Sequence, residues 1–326
     1  MKKIHFDNFA KTYFILVVFL LMFFLAPKIM IATDENTGLG FTVGPPVVEY
    51  TAEKGQTLTG VVKVNDYSPT PITLYPQVAD FAAKDETGQP AFFESDPNRR
   101  FSLSTWMKFS NEPIEFGIGE LKAIQYQIVV PADAEPGGHY GVLFFSTKSP
   151  NNVKEGEAKV VANMKVGQLV LVTVKGDISE KGVVETFKTK HLFNWFPQIQ
   201  YSNEKLVKIT SNINLITRLK NVGNVHFKPK GKIVIKNIFG QEKAKLAFNE
   251  KGGNVLPDSI RAFENTWKAK WWNMGVYTAS LDLTYGATNN TILDNYTFFV
   301  IPWWLLIILF VIALFIARKI KKRKKK

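Results

Sequence analysis

The chain has 326 residues, 46% of them apolar, enough for ordinary packed cores, and its 41 basic and 28 acidic side chains give a formal net charge of +13. Eight of those charges lie in residues 318–326 and a net three in residues 1–32, so the part between is close to neutral; it offers no basic surface of the kind that phosphate neutralisation needs, which excludes nucleic-acid binding. There is no cysteine, which excludes disulfides, thiolate zinc sites and a cysteine nucleophile.

At the start, Lys2, Lys3 and Lys11 precede an unbroken apolar run from Tyr13 to Ala26 that Pro27 and Lys28 close. The run is short for a membrane span, so residues 1–32 read as a secretory signal peptide cleaved after Ala32, with an uncleaved anchor as the alternative.

From residue 40 onward a period of two dominates. Val62 and Val64 flank Lys63, and Ile124, Tyr126 and Ile128 alternate with Gln125 and Gln127. Such alternation marks strands with one buried face. Prolines and glycines recur at short intervals, and no apolar three-and-four spacing is long enough for a sizeable helix outside the termini. Many short strands without helices between them predict an all-β chain of two tandem immunoglobulin-like antiparallel β-sandwiches, one over residues 40–176 and one over 177–295. Residues 149–164 read as a long polar surface loop before the last strand of the first sandwich.

Within the first sandwich, the stretch PADAEPGGHYGVLFF (131–145) reads as a corner. Pro131 ends a strand by removing a ladder donor, Pro136, Gly137 and Gly138 turn the chain, and an alternating strand returns from Tyr140. The Tyr140 hydroxyl is expected to pin this corner, and His139 is read as part of it rather than as a catalytic group. The acidic residues Asp80, Asp85, Glu86, Glu94 and Asp96 miss the calcium-loop spacing and read as a solvated loop.

In the second sandwich, Asn221–Asn224 predicts a turn. Trp195 and Phe196, in HLFNWFPQIQY, are candidate ligand-contact aromatics at a loop tip, because rings stack on the CH-rich faces of sugars; core packing is the equal alternative. Trp267, Trp271 and Trp272 are read mainly as core, with contact to lipid as a further option.

An uncharged stretch from Tyr296 to Ala317 then predicts a transmembrane helix, with Trp303 and Trp304 at its outer interface. Arg318, Lys319, Lys321, Lys322 and Arg323 begin a basic tail, residues 318–326, that the positive-inside rule places in the cytoplasm. The chain is thus expected to be a single-pass cell-membrane protein with its sandwiches extracellular and its N-terminus outside after cleavage.

FTVGPPVVEYTAEKGQTLTGVVKVND (41–66) resembles the opening of the first domain of WxL-interacting proteins: an extended Pro-containing entry strand, a glycine turn and a strand ending in Asn. LSTWMKFSNEPIEFGIGELKAIQYQIVVPADAEPGGHYGVLFF (103–145) resembles that domain's second half, through its tryptophan strand, glycine turn and PGGHYG corner. The resemblance covers residues 41–175, and the order of signal peptide, two sandwiches, span and basic tail matches as well. It implies a bacterial cell-surface protein whose first domain binds peptidoglycan and whose second binds host or matrix proteins.

No G-x-S-x-G, H-E-x-x-H or Walker pattern is present, and nothing calls for a metal or cofactor. The expected function is therefore non-enzymatic: a membrane-anchored surface protein that binds cell-wall polymer, a surface protein partner, or both. An accessory subunit of a membrane assembly is the alternative, although the span lacks the Gly-x-x-x-Gly or ionisable residues that would drive helix pairing.

Overall fold

The computed structural model describes residues 40–147, 164–190, 198–202, 205–270 and 272–323. The expected signal peptide and most of the polar 149–164 loop lie outside them, as do Trp195, Phe196 and Trp271.

The first sandwich is built from Phe41–Gly44 (β1), Val47–Ala52 (β2), Thr57–Asp66 (β3), Ile72–Ala83 (β4), Pro90–Phe93 (β5), Met107–Lys108 (β6), Ile114–Phe116 (β7), Leu121–Val129 (β8), Gly137–Ser146 (β9) and Lys165–Val174 (β10). One sheet has the order β1-β3-β8-β6, and the other β2-β10-β9-β4-β5 with β7 on the edge of β4. Between Gly44 and Val47 the chain changes sheets, so β1 lies against β3 while β2 runs parallel to β10. The alternation read from sequence gives the core: Val62, Val64, Tyr126 and Ile128 point inward and meet Leu143, Phe145, Val170 and Val172 of the facing sheet.

β9 departs from the expected alternation. All ten of its residues are buried. Leu143 and Phe145 fill the main core, while Tyr140, Val142 and Phe144 join Phe81 and Leu171 in a second cluster on the outer face of the same sheet. Phe101 and Leu256 cover that cluster, and Leu256 belongs to the second half of the chain. A strand buried on both faces reads as a continuous apolar run, and GVLFF is one.

The second sandwich comprises Gly182–Thr189 (β11), Gln198–Ser202 (β12), Lys205–Asn221 (β13), Lys230–Asn237 (β14), Glu242–Phe248 (β15), Ile260–Lys270 (β16), Gly275–Tyr285 (β17) and Asn290–Val300 (β18). β11 and β12 share one edge of β13 and β16 takes the other, opposite a sheet of order β15-β14-β17-β18. Trp267 is buried at the centre of this core, 5.0 Å edge-on to Tyr277. Trp272 lies outside it and is exposed. In the first sandwich β3 lies between β1 and β8, and in the second β13 lies between β11 and β16, each opposite the sheet that carries the last strand, as in the immunoglobulin-like order.

The end of the second sandwich corrects the sequence reading. Tyr296–Val300, expected to begin the transmembrane helix, is the last half of β18 and pairs with β17 in full register from Gly275↔Val300 onward. Phe298 and Val300 are core residues. The chain leaves the sheet at Ile301-Pro302 and forms a 21-residue helix, Trp303–Arg323 (α1), which takes in Arg318 to Arg323 rather than stopping ahead of them. Among the described residues, no helix is long and apolar enough to cross a membrane.

Candidate functional site: the joint and cleft between the sandwiches

The PGGHY corner lies where the two sandwiches meet. His139 is buried with its Nδ1 3.0 Å from Ser102 O and its Nε2 3.0 Å from Glu135 O, under the Trp106 ring at 4.2 Å. Burial pulls its pKa below the usual histidine range, against the pull of those two carbonyls, and the two contacts tie the ring to the corner. Tyr140 does something the sequence reading did not anticipate. Its hydroxyl reaches out of its own sandwich, accepting the His226 backbone N–H at 3.0 Å and lying 3.3 Å from His226 Nδ1. It pins the neighbouring sandwich rather than its own corner.

Asn224, from the expected 221–224 turn, completes this joint. Its carbonyl accepts the Gly138 N–H at 2.8 Å. Its side-chain amide donates to Pro136 O (3.2 Å) and Asp177 O (2.9 Å), while Oδ1 accepts the Ser179 N–H at 2.8 Å. The two glycines are required by this contact. Gly137 has φ +122°, and a Cβ there would sit 2.6 Å from Asn224 O; one on Gly138 would sit 1.9 Å from the Tyr140 hydroxyl.

The acidic segment is likewise not a solvated loop throughout. Asp80 is fully buried, and its Oδ1 accepts the Leu103 and Ser104 N–H groups at 3.0 and 2.9 Å, fixing the segment that carries Phe101 over the outer cluster. Glu86 crosses to the second sandwich, where Arg218 grips it with both Nε (2.7 Å) and its terminal nitrogen, and Glu86 O accepts the Ala262 N–H at 2.8 Å. Those guanidinium bonds hold the Glu86 carboxyl below the usual carboxylate range.

Between these ties lies a cleft of about 410 Å³. Its apolar floor is the outer face of β2, β10 and β4 (Val47, Leu169, Leu171 and Phe81), and its far wall is the 251–261 segment with Leu256 and Ile260. Glu49 projects from β2 and takes Lys228 Nζ at 2.7 Å and Asn254 Nδ2 at 2.8 Å. Burial alone would raise the Glu49 carboxyl, but these two hydrogen bonds outweigh it and hold the pKa low. Arg261 faces the same space. Its guanidinium is wedged where a side chain on Gly88 or Gly253 would collide with it, and it donates to Asn254 O at 2.7 Å. Among the described residues no carboxylate pairs with it. Partial burial lowers its pKa, yet a guanidinium remains a cation at neutral pH. A cation that lies over the Phe263 ring at 5.5 Å and has no carboxylate partner among the described residues, above an apolar floor, suits a ligand with an apolar body and one carboxylate or similar anionic group.

The residues singled out from sequence fall elsewhere. Trp195 and Phe196 lie outside the described residues. Trp304 sits half-buried at the start of α1. For Trp303, Arg318, Lys319, Lys321, Lys322 and Arg323 the backbone is helical. Glu49, Lys228, Asn254 and Arg261 carried no signal, being far apart in sequence and in no motif. Among the described residues no group of three His, Asp or Glu side chains comes together to hold a metal.

No family model matches the chain, and no curated protein does. Among solved structures it is similar to the class 5 fimbriae chaperone CfaA, with 13% identity and a TM-score of 0.39 over 78% of this chain and 98% of that one. The CsuC–CsuE chaperone–tip adhesion subunit complex of Acinetobacter baumannii matches at 14% identity and TM-score 0.34, over 69% of this chain and 89% of that one. The E. coli chaperone DraB matches at 9% identity and TM-score 0.33, over 80% and 97%. Likeness at this level assigns the chain no family, activity or partner.

Proposed function

We propose that the chain is a non-enzymatic, membrane-anchored cell-surface binding protein whose two-sandwich body takes a carboxylate-bearing ligand in the cleft between its halves. The observation that carries this reading is Arg261: a partly buried guanidinium that pairs with no acid among the described residues, set over an apolar floor. A short peptide with a free carboxylate fits that chemistry, whether it belongs to the peptide stems of a cell-wall polymer or to a protein partner. The resemblance of residues 41–175 to WxL-interacting proteins favours the wall polymer, peptidoglycan.

The anchor rests on α1. Every side chain from Ile308 to Ala317 is exposed, which leaves this apolar surface open among the described residues. At 1.5 Å per residue the helix of 21 residues is about 30 Å long. Its uncharged part, Trp303 to Ala317, is shorter than a full span. Arg318 and Lys319 follow it within the helix and Trp304 lies at its start, residue types that membrane interfaces favour. The basic end sets the orientation, tail inside and sandwiches outside.

The test is co-sedimentation of the full-length chain, in detergent, with isolated cell-wall sacculi. Saturable binding that weakens about tenfold in Arg261→Gln, as expected for loss of a charge-assisted bidentate contact, supports the cleft. Binding lost instead in Trp195→Ala/Phe196→Ala moves the site to those aromatics. No binding by the unaltered chain removes the wall-polymer reading and turns the search to protein partners.

A further inference from the structure

The register of the second sandwich sorts its loops into two ends. Val300, the last residue of β18, pairs with Gly275, the first of β17, and the helix starts three residues later. The β16–β17 connection, with Trp272 and Met274, is at this end because it leads directly into Gly275. So is the β14–β15 turn, with Ile238 and Phe239, because Asn237 pairs with Tyr277 and Lys236 with Glu242. The turns at residues 221–229 and 249–259 are at the other end, facing the first sandwich.

The helix end carries side chains that a water-facing surface does not select. Phe239 and Ile238 form a hairpin tip, 78% and 67% exposed. Trp272, Met274 and Phe299 are exposed beside it. Exposed lysines ring the group: Lys236 and Lys243 flank the hairpin tip, and Lys268 and Lys270 end β16, with Lys270 Nζ 5.1 Å over the Trp272 ring. Glu242, opposite Lys236 in the ladder, is exposed as well. At the opposite end Val225, Phe227 and Val255 are buried and Val222 is exposed. Large apolar tips ringed by cations are the composition of a membrane–water interface, where rings and thioethers sit among headgroups and lysines meet anionic lipid.

We infer that this end of the second sandwich is a lipid-contacting collar: Ile238, Phe239, Trp272 and Met274 enter the headgroup layer around α1, and Lys236, Lys243, Lys268 and Lys270 engage anionic headgroups. The collar rests on α1 being the membrane anchor. It goes beyond anchoring, because it fixes the tilt of the body: two loops and a helix at one end make three attachments, whereas a helix alone is a swivel. The cleft at the far end of this sandwich is then held away from the bilayer, turned toward the wall.

The absence of cysteine makes the test direct. The full-length chain carrying Phe239→Cys, Met274→Cys, Leu309→Cys or Lys251→Cys, each labelled with the environment-sensitive fluorophore NBD, is reconstituted into vesicles of phosphatidylcholine and phosphatidylglycerol. Quenching by nitroxide placed on the headgroup, at a shallow acyl carbon or at a deep one is then read. The collar predicts blue-shifted emission at 239 and 274, strongly quenched by headgroup and shallow nitroxides, with 251 unquenched and 309 quenched by the deep one. A label at 309 quenched by deep nitroxide while 239 and 274 behave like 251 overturns the collar and leaves the anchor. A label at 309 that no nitroxide quenches overturns both. Lys268→Glu/Lys270→Glu, both exposed and outside the core, is expected to cut most of the quenching at 274 in anionic vesicles and to leave 309 unchanged.

Discussion

The contacts that decide how this molecule holds itself together are made by single small or titratable residues at the joint. Gly137→Ala places a Cβ 2.6 Å from the Asn224 carbonyl at a φ of +122°, so strain and collision add, and a loss on the order of 2–4 kcal/mol is expected in thermal unfolding. Gly240→Ala is the control: φ is +76° with nothing within 4 Å of the new Cβ, and about 1 kcal/mol covers the backbone strain alone. His226 gives the joint a pH dependence. Burial is the main cause of a pKa of about 4; the Glu49 charge pulls it up and Lys228 pushes it down. In the unfolded chain the ring titrates near its ordinary value of about 6.5. The native state therefore binds fewer protons than the unfolded one between these values. The stability this supplies is complete above about pH 6.5 and is lost as pH falls toward 4. Protonation also places a charge on a ring whose Nδ1 lies 3.3 Å from the Tyr140 hydroxyl, at the joint itself. Melting temperatures of the unaltered chain and of His226→Gln, compared from pH 7.5 to 4.5, should show a shallower slope in the variant. The slope will not vanish, because burial lowers the His139 pKa as well.

At the level of elements, the most consequential boundary is the one between β18 and the helix. A fragment ending at Asn295, where the uncharged stretch of the sequence begins, loses the half of β18 that carries Phe298 and Val300. Deleting a buried aromatic and a buried aliphatic costs several kcal/mol, about 3–5 for the phenylalanine alone, before the lost ladder hydrogen bonds are counted. Residues 40–295 should therefore fail to give soluble protein with a cooperative melt, whereas 40–301 should give both. The misplaced boundary has a physical origin: a buried strand next to an apolar helix is one continuous uncharged run, and hydropathy does not record where the period changes from 2 to 3.6. Elsewhere the period of two was enough. The alternation in TLTGVVKVND and LKAIQYQIV marked both the strands and their inward faces, and Trp267 was read as core. What stayed hidden was everything that depends on partners far apart in the chain. Asp80, in an acidic segment that looks solvated, caps backbone amides more than twenty residues away. Arg261 gains its character only because Gly88 and Gly253 meet around it. The double glycine at 137–138 was legible as a turn, but not as the seat of another sandwich's asparagine.

For the whole molecule, the question is whether the two sandwiches unfold separately or as one. The ion pairs across the joint, Arg218–Glu86 and Arg100–Asp258, are reached by solvent, and screened pairs of that kind add little to stability. They orient the sandwiches without coupling their stabilities. The buried part of the joint is different. Across it Asn224 makes hydrogen bonds to Gly138 and Pro136, Tyr140 bonds His226, and Leu256 caps the outer cluster of β9. If the first sandwich unfolds, these polar groups lose their partners and Leu256 is uncovered, so each half has several kcal/mol invested in the other being folded. Calorimetry of the unaltered chain should then show one transition whose van't Hoff and calorimetric enthalpies agree. Asn224→Ala, which removes three side-chain hydrogen bonds and leaves Pro136 O and Asp177 O without their amide donor, should lower the melt and split it in two. Arg218→Ala should do neither beyond a degree or two. Two transitions already present in the unaltered chain would mean that the joint is only a contact, and the cleft would then have no fixed geometry with which to select a ligand.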